Sequence, residues 1–294
     1  MPIQTVAIMS PGEMGHAVGR VLIEGGLEVI ACLEGRGDLT KNFAAKAGIR
    51  DAGSLETMVG EADLVLSIVP PAKSVETAAA ASRAMRSAGK TPPYADCNAV
   101  SPDTTRLVGK EITRAGAEYI DGGIIGGPPS KNSVPRFYVS GPKASLMSEL
   151  DGKGIAVRPI GDEIGRASGL KMCYASMTKG TLALQAAVFT TTEALGLTSE
   201  LKNELMENSE GLFEKIEKGT RRLPSVSGRY IGEMEEIAAT YAAVGMTPKF
   251  HQGALDVYRF LVSTPLAEET SETIDASRTL EQTAKVFVDH LPMK

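Results

Sequence analysis

The chain has 294 residues, 43% of them hydrophobic and 23% charged, with 31 basic against 36 acidic side chains for a net charge of −5. That length exceeds one ordinary core and suits two domains. The acidic balance argues against nucleic acid or an anionic membrane as the main partner, since both need clustered positive charge, and no apolar run is long enough to span a bilayer. In chain order, Val6–Met9 reads as a strand, Ser10–Gly15 as a turn, and the following segment as a helix to about Gly25. A second strand is expected over Glu28–Leu33 and a helix over Leu39–Ala47. Leu64–Val69 is a strand closed by Pro70 and Pro71, and the alanine-rich Ser74–Ala88 is a helix. Tyr94–Cys97 is a strand, Pro102–Ala115 a helix with Ser101 as N-cap, and Tyr119–Ile125 a strand. Phe137–Val139 and Ala156–Ile160 are expected as last strands around a helix at Ala144–Leu150. Repeated βα units with short connections predict a parallel, doubly wound sheet.

Beyond Ile164 the strand signal vanishes. Arg166–Leu195 reads as one long, mostly apolar helix, buried on most sides because Leu170, Met172, Cys173 and Met177 surround Lys171. Shorter helices are expected near Ser199–Lys218, Tyr230–Val244, Pro248–Ser263 and Glu268–Leu291, with Arg221–Gly228 as a loop around Pro224. The fold class expected is an α/β Rossmann-type, doubly wound N-terminal domain (1–162) followed by an all-α C-terminal domain (163–294). The N-terminal residues run straight into a strand and leave no room for a signal peptide. Cys32, Cys97 and Cys173 are widely spaced and read as buried thiols in a reducing, cytoplasmic setting. His16, His251 and His290 lack ligand spacing, so no metal site is expected.

The sharpest signal is the turn Ser10-Pro11-Gly12-Glu13-Met14-Gly15, between the first strand and first helix. Ser10 stands at the first position of a G-x-G-x-x-G register, and Gly12 and Gly15 match the others. Glycines let the backbone approach a pyrophosphate, and a helix N-terminus offers unpaired N–H groups to the anion. An ordinary βα turn is the alternative. Asn98 follows the strand Tyr94–Cys97 at the edge where open α/β sheets bind ligands, either as a nicotinamide or substrate contact or as a turn residue. Gly122, Gly123, Gly126 and Gly127 offer backbone N–H groups to a carbonyl or anionic oxygen. Lys171, Tyr174, Ala175 and Thr178 fall at i, i+3, i+4 and i+7 on one helix face, which could line a cleft between the halves. Lys131, Arg136 and Arg166 lie near these segments and could grip a carboxylate or be surface charges. His251 reads as structural.

These pieces, in this order, resemble the β-hydroxyacid dehydrogenases and their relatives in the 6-phosphogluconate dehydrogenase-like superfamily. The resemblance covers nearly the whole chain. It rests on Ser10–Gly15, Ser67-Ile68-Val69-Pro70-Pro71, Asp96–Pro102, Asp121–Gly127 (similar to D-A-P-V-S-G-G) and Gly165–Lys171 (similar to G-x-G-x-x-x-K). In detail the chain is similar to a branch whose helical domain is largely without an assigned function. The resemblance implies that Ser10, Pro11, Gly12, Glu13, Met14, Gly15, Gly35, Arg36, Val69, Pro70 and Asn98 hold a nicotinamide cofactor. It implies Lys171 as general acid/base with Tyr174 assisting, and Gly122, Gly123, Ile125, Gly126, Gly127 and Thr178 beside the substrate. It also implies a homodimer built on the helical domain. Ile125 replaces the family serine that contacts the substrate carboxylate, Gly123 the family proline, and Tyr174 and Ala175 the asparagines after the lysine. A standard small β-hydroxyacid is therefore not the expected substrate.

NAD enzymes carry an acid at the end of the second strand to receive the ribose 2′-hydroxyl. By family register that position is Gly35, followed by Arg36, which suits the extra phosphate of NADP(H). Glu34 is one residue away and keeps NAD(H) open. The leading expectation is an NADP-dependent oxidoreductase acting on a hydroxy or keto compound, a hydroxyacid in particular. An NADPH-dependent imine reductase is the alternative, although that group usually lacks the lysine. A non-catalytic NADP(H)-binding protein is the third reading.

Overall fold

The computed structural model describes residues 2–270 and 272–292, apart from the side chain of Glu210. The chain divides into two compact units, Met1–Cys173 and Tyr174–Lys294. The sequence alone sets the division at 162/163.

The first unit is built in the order β1 (Thr5–Ile8), α1 (Glu13–Glu24), β2 (Glu28–Ala31), α2 (Asp38–Ala47), β3 (Arg50–Asp51), α3 (Leu55–Glu61), β4 (Leu64–Ser67), α4 (Ser74–Ala88), β5 (Tyr94–Asp96), α5 (Pro102–Thr113), β6 (Tyr119–Ile125), β7 (Arg136–Ser140) and β8 (Ala156–Pro159), with α6 (Arg166–Ala175) leading out of it. The eight strands form one sheet in the order β3-β2-β1-β4-β5-β6-β7-β8. Successive strand residues face opposite ways. Val6 and Ile8 therefore join one apolar layer with Val18, Leu22 and Ala44, while Ala7 and Met9 join the other with Met58, Ala81, Met85 and Val108. Each fully buried Val, Leu or Ile contributes roughly 1.5–3 kcal/mol, and both faces of the sheet are covered in this way. Strand order reverses between β1 and β4, which opens a crevice at their carboxyl ends.

Three details depart from expectation. The short β3 and α3 were not anticipated; Ser54 caps α3 by accepting from Thr57 N at 3.1 Å. β7 runs antiparallel to β6, pairing Ile125 with Arg136. The link between them holds Gly126, Pro128, Pro129 and Pro135 and no helix, so it turns back directly instead of crossing over. The expected helix at Ala144–Leu150 is a 3-10 turn.

The second unit is helical. It holds a π turn at Ser176–Gly180, α7 (Thr181–Ala194), α8 (Thr198–Ala243), α9 (Lys249–Val262) and α10 (Leu280–Asp289). Phe189, Phe213, Ile216, Leu280 and Ala284 form a buried cluster in it. Arg221–Gly228, expected as a loop, is part of α8, with Pro224 inside the helix. Leu223 and Ser227 are buried on either side of that proline, so packing overrides the local preference. The interruption of α8 comes at Ser209 instead. The last expected helix starts late, at Leu280, where Thr279 and Gln282 form a capping box.

Candidate functional site

The turn after β1 has the form a dinucleotide requires. Gly12 is the N-cap of α1, and no side chain caps that end. A Cβ on Gly12 would meet nothing within 4 Å, whereas one on Gly15 would lie 2.3 Å from the Ser10 carbonyl oxygen. Gly15 thus lets the chain turn tightly, and Gly12 keeps the space over the helix end clear. Gly19 seats α1 against Ile49, whose side chain a Cβ would meet at 2.6 Å. His16 Nδ1 lies 2.7 Å from the Gly12 carbonyl oxygen and its ring stacks on Phe43, which fixes the turn from below. Ser10 and Met14 are half-buried, Pro11 is buried, and Glu13 is exposed. Helix N–H groups plus open space fit a pyrophosphate.

At the end of β2, Arg36 N donates to Leu33 O at 3.1 Å, closing a turn in which Gly35 has φ +68°. Only glycine takes that conformation without strain. Arg36 Nη2 donates to Met9 O at 3.0 Å, so the guanidinium lies beside the end of β1. Cys32, Glu34, Gly35, Arg36 and Leu55 line a cavity of about 260 Å³ there. On β3, Asp51 Oδ1 accepts from Leu33 N at 3.1 Å and Gly53 N at 2.9 Å.

Val69 and Pro70 follow β4, and Asn98 follows β5. The Asn98 side chain is buried and bonded at both ends: Oδ1 accepts from Val69 N at 2.6 Å and Nδ2 donates to Ser67 Oγ at 3.0 Å. It ties the end of β5 to that of β4, the strand on one side of the crevice.

All seven residues of β6 are buried. Ile120 and Ile124 enter the apolar layer, so Asp121, Gly123 and Ile125 face the other way. That face receives α6. A Cβ on Gly123 would lie 2.9 Å from both the Ala167 carbonyl oxygen and Lys171 Cβ, so glycine at this position lets α6 lie directly on the strand with half-buried Lys171 above it. Gly122 plays the same part toward Asp96 and Cys97. Gly126 and Gly127 are exposed beyond the strand end, and Ile125 is buried.

The residue that holds α6 is Asp121. Its Oδ2 accepts from Ser140 Oγ at 2.8 Å, Gly165 N at 2.8 Å, Ala167 N at 3.0 Å and Ser168 N at 3.2 Å. Its Oδ1 accepts from Thr105 Oγ1 at 3.2 Å and from Ser168 Oγ. Burying a carboxylate costs several kcal/mol, but charge-assisted hydrogen bonds return roughly 1.5–3 kcal/mol each, and the positive end of a helix adds to them. The sequence reading quoted Asp121 only as part of a motif. The missed signal is an acid inside an otherwise apolar strand, a pattern Asp96 repeats in β5. Burial beside these two carboxylates pushes the Cys97 thiol and the Tyr119 phenol well up.

Other expectations need correction. Met172 and Ala175 are buried, but Leu170, Cys173, Tyr174 and Met177 are exposed, so the helix buries one stripe rather than most of its surface. Cys173 is accordingly not a core thiol. The π turn breaks the α-helical repeat after Ala175. Thr178 therefore leaves the register of Lys171, and its Oγ1 turns back to donate to Tyr174 O at 3.1 Å. Arg166 Nε donates to Ile160 O at 2.8 Å, while Lys131 and Arg136 are exposed. His251 is buried within the second unit, with Nε2 3.1 Å from Ser176 Oγ. Among the described residues no helix is long and apolar enough to cross a membrane.

Glycine turn, switch point and lysine-bearing helix define a nicotinamide-dependent oxidoreductase. The comparisons agree. Residues 5–150 match the NAD binding domain of 6-phosphogluconate dehydrogenase, and residues 193–261 match a domain of unknown function, DUF1932. An uncharacterized 28.5 kDa protein of Methanothermus fervidus is 31% identical over 185 residues, covering 63% of this chain and 69% of that one. The conserved protein MTH1747, of unknown function and structurally similar to 3-hydroxyacid dehydrogenases, is 26% identical with a TM-score of 0.67, covering 87% of this chain and 96% of that one. The Mycobacterium tuberculosis 3-hydroxyisobutyrate dehydrogenase is similar in fold, with a TM-score of 0.68 at 18% identity over 99% of this chain and 100% of that one. The chain belongs to the 6-phosphogluconate dehydrogenase-like superfamily, whose members are NAD(P)-dependent dehydrogenases and reductases acting on CH–OH groups.

Proposed function

We propose that this protein is an NADP-dependent oxidoreductase that interconverts a small hydroxy compound, carrying a carboxylate, and its keto form. The observation that carries this reading is Lys171, set over Gly123 on a helix whose N-terminus is anchored by Asp121. A bound nicotinamide supplies or accepts the hydride. In reduction the Lys171 ammonium gives its proton to the oxygen that gains negative charge; in oxidation the neutral amine takes the proton from the hydroxyl. Tyr174 assists as hydrogen-bond donor, and the Gly126–Gly127 backbone meets the substrate oxygen. Ile125 and Gly123 leave no hydroxyl or proline to grip a standard small β-hydroxyacid, so the substrate is a differently substituted compound.

Arg36 and Glu34 line one cavity, so cofactor choice reduces to which of them meets the ribose. We assign that place to Arg36, whose fork suits a 2′-phosphate. We also propose a homodimer in the cytoplasm. Leu184, Val188 and Thr191 on α7, with Leu195 just past its end, form an exposed stripe at helical spacing, which a second copy would cover.

The test is an absorbance screen with NADP(H) and NAD(H) against hydroxyacids, ketoacids, aldehydes and imines. Lys171→Met is expected to lower turnover about 10³-fold. Undiminished turnover in that variant would remove the lysine mechanism, and turnover on imines alone would make this an imine reductase. Arg36→Ala is expected to weaken NADPH about tenfold or more and NADH little; equal weakening would overturn the NADP assignment.

A further inference from the structure

Asp96 and Asp121 are joined through two hydroxyls. Tyr119 Oη lies 3.2 Å from Asp96 Oδ2 and 2.6 Å from Thr105 Oγ1, and Thr105 Oγ1 lies 3.2 Å from Asp121 Oδ1. All four side chains are buried. Each hydroxyl has one proton and a carboxylate has none, so three contacts share two protons. The 2.6 Å contact is a full hydrogen bond and takes one of them. Two arrangements remain. In one, Tyr119 donates to Thr105 and Thr105 to Asp121. In the other, Thr105 donates to Tyr119 and Tyr119 to Asp96. The hydroxyls turn together, and whichever carboxylate gains a donor, the other loses one.

The two ends of this chain lie at different parts of the site. Asp96 Oδ1 accepts from Asn98 N at 3.2 Å, and Asn98 bonds Val69 N and Ser67 Oγ at the crevice. Asp121 holds the three backbone N–H groups at the start of the Lys171 helix. An element with two discrete arrangements, each biased by a different end, is the physical requirement for coupling.

We propose that Thr105 and Tyr119 are positioning residues: their hydroxyl pair is a two-position relay through which nucleotide bound at the Asn98 edge sets how Asp121 holds α6, and hence where Lys171 stands. The proposal rests on the nicotinamide reading above. A ligand that draws on Asn98 N–H changes the donors left to Asp96, and the relay passes that change to Asp121. Burial keeps the Tyr119 phenol protonated at neutral pH, so the relay always holds its two protons.

Hydrogen exchange on the full chain, with and without saturating NADPH, tests this. The wild type is expected to show slower exchange over residues 10–16 and a shift of about fivefold or more over 165–171, the lower end of usual coupling strengths. Thr105→Val keeps the change over 10–16 and loses the shift over 165–171; Thr105→Ser, which restores the hydroxyl, regains it. A network that only stabilises the fold would not tie the ligand-dependent shift to that hydroxyl. If Thr105→Val is too unstable to study, Tyr119→Phe removes the other hydroxyl and must abolish the shift as well. A shift that persists in either hydroxyl-free variant, or that is absent from the wild type while residues 10–16 respond, overturns the relay. No response over 10–16 to NADPH or NADH would remove the cofactor reading, and the relay with it.

Discussion

In the turn Ser10–Gly15 one glycine is crowded and another is not. Gly15 sits 2.3 Å, by its missing Cβ, from a backbone oxygen of its own turn, while Gly12 faces open space. In β6 both Gly122 and Gly123 are crowded, and the crowding atoms belong to the end of β5 and to α6. In the turn, Gly12 leaves the space over the helix end open. The strand uses glycine to bring two parts of the chain within contact, and the second part carries Lys171. Similar sequence signals therefore mark open space in one place and an internal approach in the other.

Substitution by alanine separates these uses. Gly15→Ala has the largest expected effect, about 3 kcal/mol of stability, because the clash is with a backbone atom that cannot turn aside; an unchanged urea midpoint would show that the turn relaxes freely. Gly123→Ala comes next, at about 1–3 kcal/mol, since Ala167 O belongs to a helix end that Asp121 holds in place. It is also expected to lower turnover more than NADPH affinity; equal losses would mean that Gly123 does not set the lysine. Gly12→Ala should leave stability within about 0.5 kcal/mol while weakening nucleotide binding. Full nucleotide affinity in that variant would break the comparison, because the open space would then not be the ligand's.

The smallest effect concerns the second unit and its pH response. Burial holds the His251 imidazole below its ordinary value of 6.5, and its Nδ1 has no partner among the described residues. The folded state therefore binds this proton less readily than the unfolded chain. The resulting stability is present above 6.5 and is lost as pH falls toward the depressed folded value. Melting followed from about pH 7.5 to about 5.5 should show a steeper decline for the wild type than for His251→Gln, by about 1 kcal/mol or less. Parallel curves would show that His251 stays neutral in both states or is protonated in both.

Local pattern was enough for much of this molecule. Short apolar runs placed β1, β2, β4, β5 and β6, the glycine turn marked the end of β1, and Ser101 announced α5 by a cap that Thr104 N completes at 3.2 Å. Those features depend on neighbours in sequence, where side-chain period and capping act over a few residues. Pro224 misled for the opposite reason: a breaker in isolation, it lies in a helix that buried Leu223 and Ser227 hold together. The antiparallel β7 and the exposed side of the Lys171 helix also depended on what lies across the fold. Lys171 was legible as a candidate from its motif, but Gly123 could only be understood once α6 was seen lying on it.

The sequence by itself determined the main alternation of strands and helices in the first unit, the glycine turn and the lysine, because each is written in residues close together along the chain. Only the tertiary structure decided that Asp121, Thr105, Tyr119 and Asp96 meet. They come from β6, α5 and β5, and sheet pairing together with burial brings their oxygens within hydrogen-bond range, where water is excluded and each donor must find an acceptor inside the protein.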